Sequence, residues 1–219
     1  MMNFLRKHMR KIFIVTILAF IGGTFMGFGA YLRGTSADTA AVVDGHKIPM
    51  KLYRSLYNAS QTMYEEYSKA PLTEDQQKQI MAGTLQAVIQ DEVLYLQAQK
   101  YGVLVSDSEL RSDLQSSAMF KSNNNFDIRL YYSFLNKMHM SPKEFEEMRR
   151  KQIAGEKLKA ILQSAIKVSE SEYLEALEDN PKLLMDDMLK NKINRVLSEW
   201  YMKTARSYNI TTNEAAFKQ

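Results

Sequence analysis

The feature that most limits this chain is its longest uncharged run. From Ile12 to Leu32 the 21 positions IFIVTILAFIGGTFMGFGAYL hold no charged residue. A helix rising ~1.5 Å per residue would carry that run across roughly 31 Å, close to the hydrocarbon thickness of a bilayer. Arg6, Lys7, Arg10 and Lys11 precede it, whereas Arg33 is the single basic residue in the dozen positions that follow. Basic flanks stay on the cytoplasmic side, so the run predicts an anchor with its N-terminus inside and the bulk of the chain exported. A cleavable signal peptide ending near Thr35-Ser36-Ala37 is the competing reading. Signal peptides ordinarily carry only ~7–15 apolar residues, which favours the uncleaved anchor.

The anchor changes the meaning of the basic balance. Of 29 Lys and Arg and 25 Asp and Glu in 219 residues, four Lys/Arg and no Asp/Glu precede residue 33. The exported part therefore holds 25 of each sign and has no basic excess, so no nucleic acid partner is expected. The absence of cysteine excludes thiol redox chemistry, a lipoprotein anchor and most zinc sites. His8, His46 and His139 lack paired ligand spacing. No metal, no cofactor and no small-molecule substrate is expected.

Periodicity beyond residue 40 is helical. AAVVDGHKI reads as a hairpin around Asp44-Gly45, because both residues tolerate the positive φ of a two-residue turn. Pro49 opens a helix to about Tyr67, with Leu52, Leu56, Ala59, Met63 and Tyr67 as its core stripe. Tyr53, Tyr57 and Tyr64 form a second stripe about a third of a turn away.

Thr73 and Gln76 form a capping box before a helix from about 74 to Lys100, the most apolar of the exported part and placed centrally. Gly102 stops it. Further boxes at Ser106/Glu109, Ser141/Glu144 and Ser169/Glu172 open later helices, and Asp127–Met138 forms another. Val103–Val105 and Ile166–Val168 read as short strands, and Ser122–Asn125 as a polar turn. After Asn180-Pro181 a last helix runs to about Ser207. Its stripe from Met185 to Tyr201 must be covered, either by earlier helices or as a dimer seam or client groove. The chain carries no nucleophile elbow, P-loop or dinucleotide glycine motif, so no catalytic residue is assigned.

The order of these elements resembles a known family. AVVDGHKIPMKLY, then LQAVIQDEVLYLQAQKYGVLVSDSEL, then FDIRLYYSFLNKMHMSPKEFEEMRR are similar to the N-terminal chaperone domain of the SurA/PpiD family of periplasmic folding factors. Phe126 and Asp127 fall where that family has Phe-Asp before a Tyr-bearing helix, and Ser141, Pro142 and Phe145 match the opening of its long helix. The N-terminal run fits the membrane-anchored, PpiD-like version. One departure matters. Where the family inserts parvulin isomerase domains, Asn180-Pro181 leads directly into a helix resembling the family's terminal one, so isomerase activity is not carried over.

The resemblance implies a mainly α fold: one N-terminal transmembrane helix, a SurA N-terminal-like helical domain with a few short β-strands, and a long closing helix. The expected boundaries are a cytoplasmic tail at 1–11, the anchor at 12–32, a linker at 33–40, the chaperone domain at 41–178 and the C-terminal helix within 179–219. It implies a single-pass bacterial inner-membrane protein, its bulk periplasmic, that holds unfolded polypeptides such as outer-membrane protein precursors. Such a holdase needs adaptable apolar surface, and ten of the fourteen methionines lie beyond residue 32. The candidate client-binding residues are Tyr53, Tyr57, Tyr64, Tyr131, Tyr132, Met138 and Met140, with ordinary core faces as the competing reading. The alternative function is a non-catalytic adaptor of the export translocon or another membrane complex, packing through Ala19, Gly23 and Gly27 on the anchor. A degenerate isomerase that recruits a separate catalytic protein is a third reading.

Overall fold

A computed structural model describes residues 38–179 and 184–213. The tail and anchor expected at 1–32, with Ala19, Gly23 and Gly27, lie outside the described residues, as do most of the linker and the Asn180-Pro181 junction. No helix among the described residues is long and apolar enough to cross a membrane.

The chain forms two compact units, one containing the residues up to Gln90 and again from Asn209, the other Asp91–Tyr208. The first opens with antiparallel strands β1 (Thr39–Val43) and β2 (His46–Pro49). Asp44 and Gly45 join them at φ 48° and 84°, the paired positive values a tight hairpin turn requires. Helix α1 (Met50–Ser68) follows at once, because Pro49 has no N–H for the strand ladder and its φ suits a helix entry. The stripe read as the core of α1 is only partly so. Leu52, Leu56 and Ala59 are half-buried, while Met63 and Tyr67 face solvent and Tyr53 is buried instead.

Helix α2 (Glu74–Lys100) begins on the Thr73/Gln76 box, with reciprocal bonds of 2.9 and 3.3 Å. It buries Leu85, Val88 and Ile89 in the first unit and Val93, Leu94 and Ala98 in the second. Its end is a Schellman turn: Gly102 at φ 70° donates to the Gln99 carbonyl at 3.0 Å, and Val103 donates to Ala98 at 2.8 Å.

The second unit continues with α3 (Asp107–Ser116), a 3₁₀ turn at Ala118–Phe120, and the hairpin of β3 (Lys121–Ser122) and β4 (Asn125–Phe126). Asn123 and Asn124, at φ 51° and 64°, make its turn. Then come α4 (Ile128–Lys137), α5 (Pro142–Ala165), α6 (Glu170–Asp179) and α7 (Met185–Arg206). The boxes at Ser106/Glu109, Ser141/Glu144 and Ser169/Glu172 are all formed.

Two expected strands are absent for local reasons. Along Val103–Val105 the carbonyls serve side chains of α5: Arg150 donates to Val105 at 2.6 Å and Lys157 to Leu104 at 2.7 Å. Ile166–Val168 is taken up by helix ends, since Ile166 caps α5 through Gln163 and Ser169 caps α6.

At the heart of this unit α2 and α5 approach closely at Gly155, where a Cβ would lie 3.1 Å from the Leu94 Cβ. Beside it Ala98, Ala154 and Leu158 form a buried cluster, and Trp200 of α7 packs on them. The terminal helix thus docks on earlier helices. Its stripe is half-buried along most of its length, and Met185 remains exposed.

Beyond α7 the chain returns to the first unit as β5 (Ile210–Thr212), antiparallel to β1, which gives the sheet order β2-β1-β5. No sequence signal marked this strand.

Candidate functional site

The seven tyrosines and methionines proposed from sequence fall into distinct settings. In the first unit Tyr53 is 4% exposed, and its hydroxyl donates to the Met81 carbonyl at 3.3 Å. Burial pushes its phenol well above the usual range, and neighbouring Tyr57 adds to this. The two rings stack at 6.2 Å with planes 14° apart. Tyr64 is half-buried and its hydroxyl accepts 2.7 Å from Gln76 Nε2. The tyrosine stripe is therefore the seam between α1 and the start of α2. Phenol oxygens find polar partners there that an aliphatic stripe has no use for.

In the second unit Phe120 is a hub. Its ring meets Tyr131 and Phe134 edge-on at 5.4 Å and Phe145 at 6.1 Å. Tyr131 is buried, and its hydroxyl donates to Glu146 Oε1 at 3.2 Å. Its phenol is raised, chiefly by burial and further by the Glu146 carboxylate. Met138 and Met140 are buried as well, on either side of His139. His139 takes φ 53° and closes α4 with a Schellman turn, donating to Asn136 at 3.1 Å while Met140 donates to Leu135 at 3.0 Å.

Tyr132 is the exception. It is 51% exposed, with its ring edge-on to Tyr131 at 5.5 Å. Ile128, also 51% exposed, lies one turn earlier on the same outer face. Arg129 beside them is held by Asp127, whose carboxyl drops to about 2 through the hydrogen bonds Arg129 makes to it. The result is an apolar step on a helix whose inner face is locked by an aromatic cluster. Sequence reasoning missed Ile128, and also Met63 and Tyr67 of α1. The signal for Ile128 was its i, i+4 relation to Tyr132, which competed with the equally regular Tyr131–Leu135–Met138 row.

A polar lattice ties α5 to α2 and α3. Arg149 grips Asp113 through two bonds of 2.7 and 2.8 Å and reaches Glu156 at 2.9 Å. Lys151 pairs with buried Glu92 at 2.6 Å, and Gln152 donates to Asp91 at 2.9 Å. Burial raises the Asp91 carboxyl, and the Gln152 bond opposes this in part. Each of these polar groups is committed to another. Among the described residues no three His, Cys, Asp or Glu side chains gather as a metal site. The exposed Ile128 and Tyr132 side chains offer apolar contact on this helix.

Comparison with known proteins agrees with this architecture. Residues 1–159 match the family described as the SurA-like N-terminal domain. The chain is similar to the periplasmic chaperone PpiD of Escherichia coli strain K12, with 23% identity over 155 residues. The same values hold for the periplasmic chaperone PpiD of Escherichia coli O6:H1 strain CFT073. Each match covers 68% of this chain and 24% of the relative, so the chain spans about a quarter of the length of the curated relatives it matches. The family match begins at residue 1, takes in β1 to β4 and α1 to α4, and ends inside α5. The chain therefore belongs to the SurA-like N-terminal domain family.

Proposed function

We propose that this protein is a membrane-anchored periplasmic chaperone that holds unfolded or newly exported polypeptides and has no prolyl isomerase activity. The observation that carries the reading is the family match over residues 1–159, together with the similarity to periplasmic chaperones named PpiD. The 21-residue uncharged run at Ile12–Leu32 supports the anchor. The exposed Ile128–Tyr132 step supports a client surface. Clients of this chemistry are chains with exposed apolar side chains, outer-membrane protein precursors among them.

The test places the whole chain in nanodiscs and dilutes a urea-unfolded outer-membrane precursor into the sample, with a proline isomerisation assay beside it. Suppression of aggregation near one-to-one stoichiometry, with no added isomerisation rate, is the expected result. A folded protein that leaves aggregation unchanged would overturn the reading and direct the search to one dedicated membrane partner.

A further inference from the structure

Strand β1 lies between two neighbours of very different origin. β2 is joined to it by a two-residue turn, whereas β5 arrives from the far end of the described chain. β1 is paired antiparallel on both sides, with β2 along Thr39–Val43 and with β5 along Ala41–Val43, and four of its five residues are buried. β5 is held largely by main-chain bonds: Asn213 N–H donates to the Ala40 carbonyl at 3.0 Å, and Asp44 N–H to the Asn209 carbonyl at 2.9 Å. Asp44 Oδ1 also accepts from the Asn209 backbone N–H at 2.7 Å. Bonds of this kind carry no sequence information, so an extended, proline-free segment of another sequence can make them equally well. The side chains of Ile210, Thr211 and Thr212 are all only half-buried and add little apolar burial. A sequence-specific grip comes from Asn213 Nδ2, which donates to the Thr39 carbonyl at 3.1 Å, with both residues buried.

We propose that the β5-facing edge of β1 is a strand-accepting site for an extended segment of unfolded polypeptide, and that residues 209–213 occupy it as a resident, exchangeable strand. The resident sequence shows what the edge accepts: a short β-former with branched side chains and no proline. The occupant rests on the chaperone reading above, since a client is what would displace the strand. Engagement at β1 adds main-chain pairing to apolar contacts elsewhere on the same client. Two contacts on one chain multiply in affinity rather than add.

The chain has no cysteine, so a designed pair has no competing thiol. Ala41 and Thr212 are partners between the hydrogen-bonded positions, where Cα atoms stand ~4.5 Å apart, within disulfide reach of ~4.4–6.8 Å. The experiment measures anisotropy of a fluorescein-labelled, urea-unfolded outer-membrane precursor against the whole chain, as wild type and as Ala41→Cys/Thr212→Cys, oxidised and reduced. Oxidation should weaken binding roughly tenfold or more, and reduction should restore it. Equal binding in both redox states overturns the strand-exchange site while leaving the chaperone reading intact. No binding by wild type sinks both. Asn213→Ala provides an independent arm that does not require the double variant to fold, and it should bind the precursor more tightly. Unchanged or weaker binding overturns the proposal, as does dimer formation without tighter binding, which would make a second copy the occupant.

Discussion

Tyr131 and Tyr132 are adjacent in sequence and opposite in fate. One closes the ring cluster around Phe120 and the other stands on its outer side. Tyr131→Ala removes a buried ring and should cost ~3–5 kcal/mol in urea unfolding, as for aromatic truncation in other cores. Tyr132→Ala should stay within about 1 kcal/mol of wild type. A reversal of that order would mean that the helix packs by its other face. Sequence alone could not choose, because 128/132/135 and 131/135/138 are equally good helical rows. The buried Phe120 hub decides it. His139 was illegible for a related reason, since it fills a left-handed helix cap that Gly102 fills conventionally.

At the scale of elements, local chemistry predicted well and non-local pairing did not. All four capping boxes are formed, because each depends on two residues three apart. The segment at Val103–Val105 looked like a strand by composition, yet its carbonyls answer Arg150 and Lys157, some forty-five to fifty-three positions on. β5 escaped notice because three residues are too few for a periodicity and its partner lies at the other end of the chain.

Two predictions belong to this scale. Gly155→Ala gains helix propensity of up to ~1 kcal/mol but drives a methyl against the Leu94 Cβ, which cannot rotate away. The helices must part, so a net loss of about 1 kcal/mol is expected by denaturant titration, within the range for overpacking. A gain would show that α2 and α5 yield freely.

The second concerns acid. Glu109 is held at about 2, chiefly by Lys157 and then by its Ser106 cap, and Glu172 at about 2 by Lys192 and its Ser169 cap. Both lie below the ordinary 4.5, so their contribution is present above that pH and is lost as the pH falls through about 2. Half-buried Asp91, shifted upward, acts with the opposite sign: its ionised form disfavours the fold, and protonation relieves this. Glu109→Gln and Glu172→Gln should therefore unfold at lower urea than wild type at pH 7, with the gap closing between 4.5 and 2. A gap independent of pH would assign the loss to packing rather than charge.

For the whole molecule, the first unit is discontinuous, built from the early elements and closed by residues after Asn209. The family resemblance gave the order of the helices correctly but carried no information on the pairing of β5 with β1. The candidate surface was legible to the same degree. An aromatic-rich helix at 128–137 was visible in the sequence, while burial leaves only Tyr132 of its proposed tyrosines exposed and adds Ile128. The central claim is that unfolded chains are held on this exposed step. It is tested most directly by titrating a labelled, urea-unfolded outer-membrane precursor with the whole chain and with Ile128→Ser/Tyr132→Ser, each first checked for an unchanged helical spectrum. The account predicts saturable binding to wild type and at least roughly tenfold weaker binding to the variant, since two buried apolar side chains contribute ~1.5–3 kcal/mol each. Equal affinity for both proteins would contradict it.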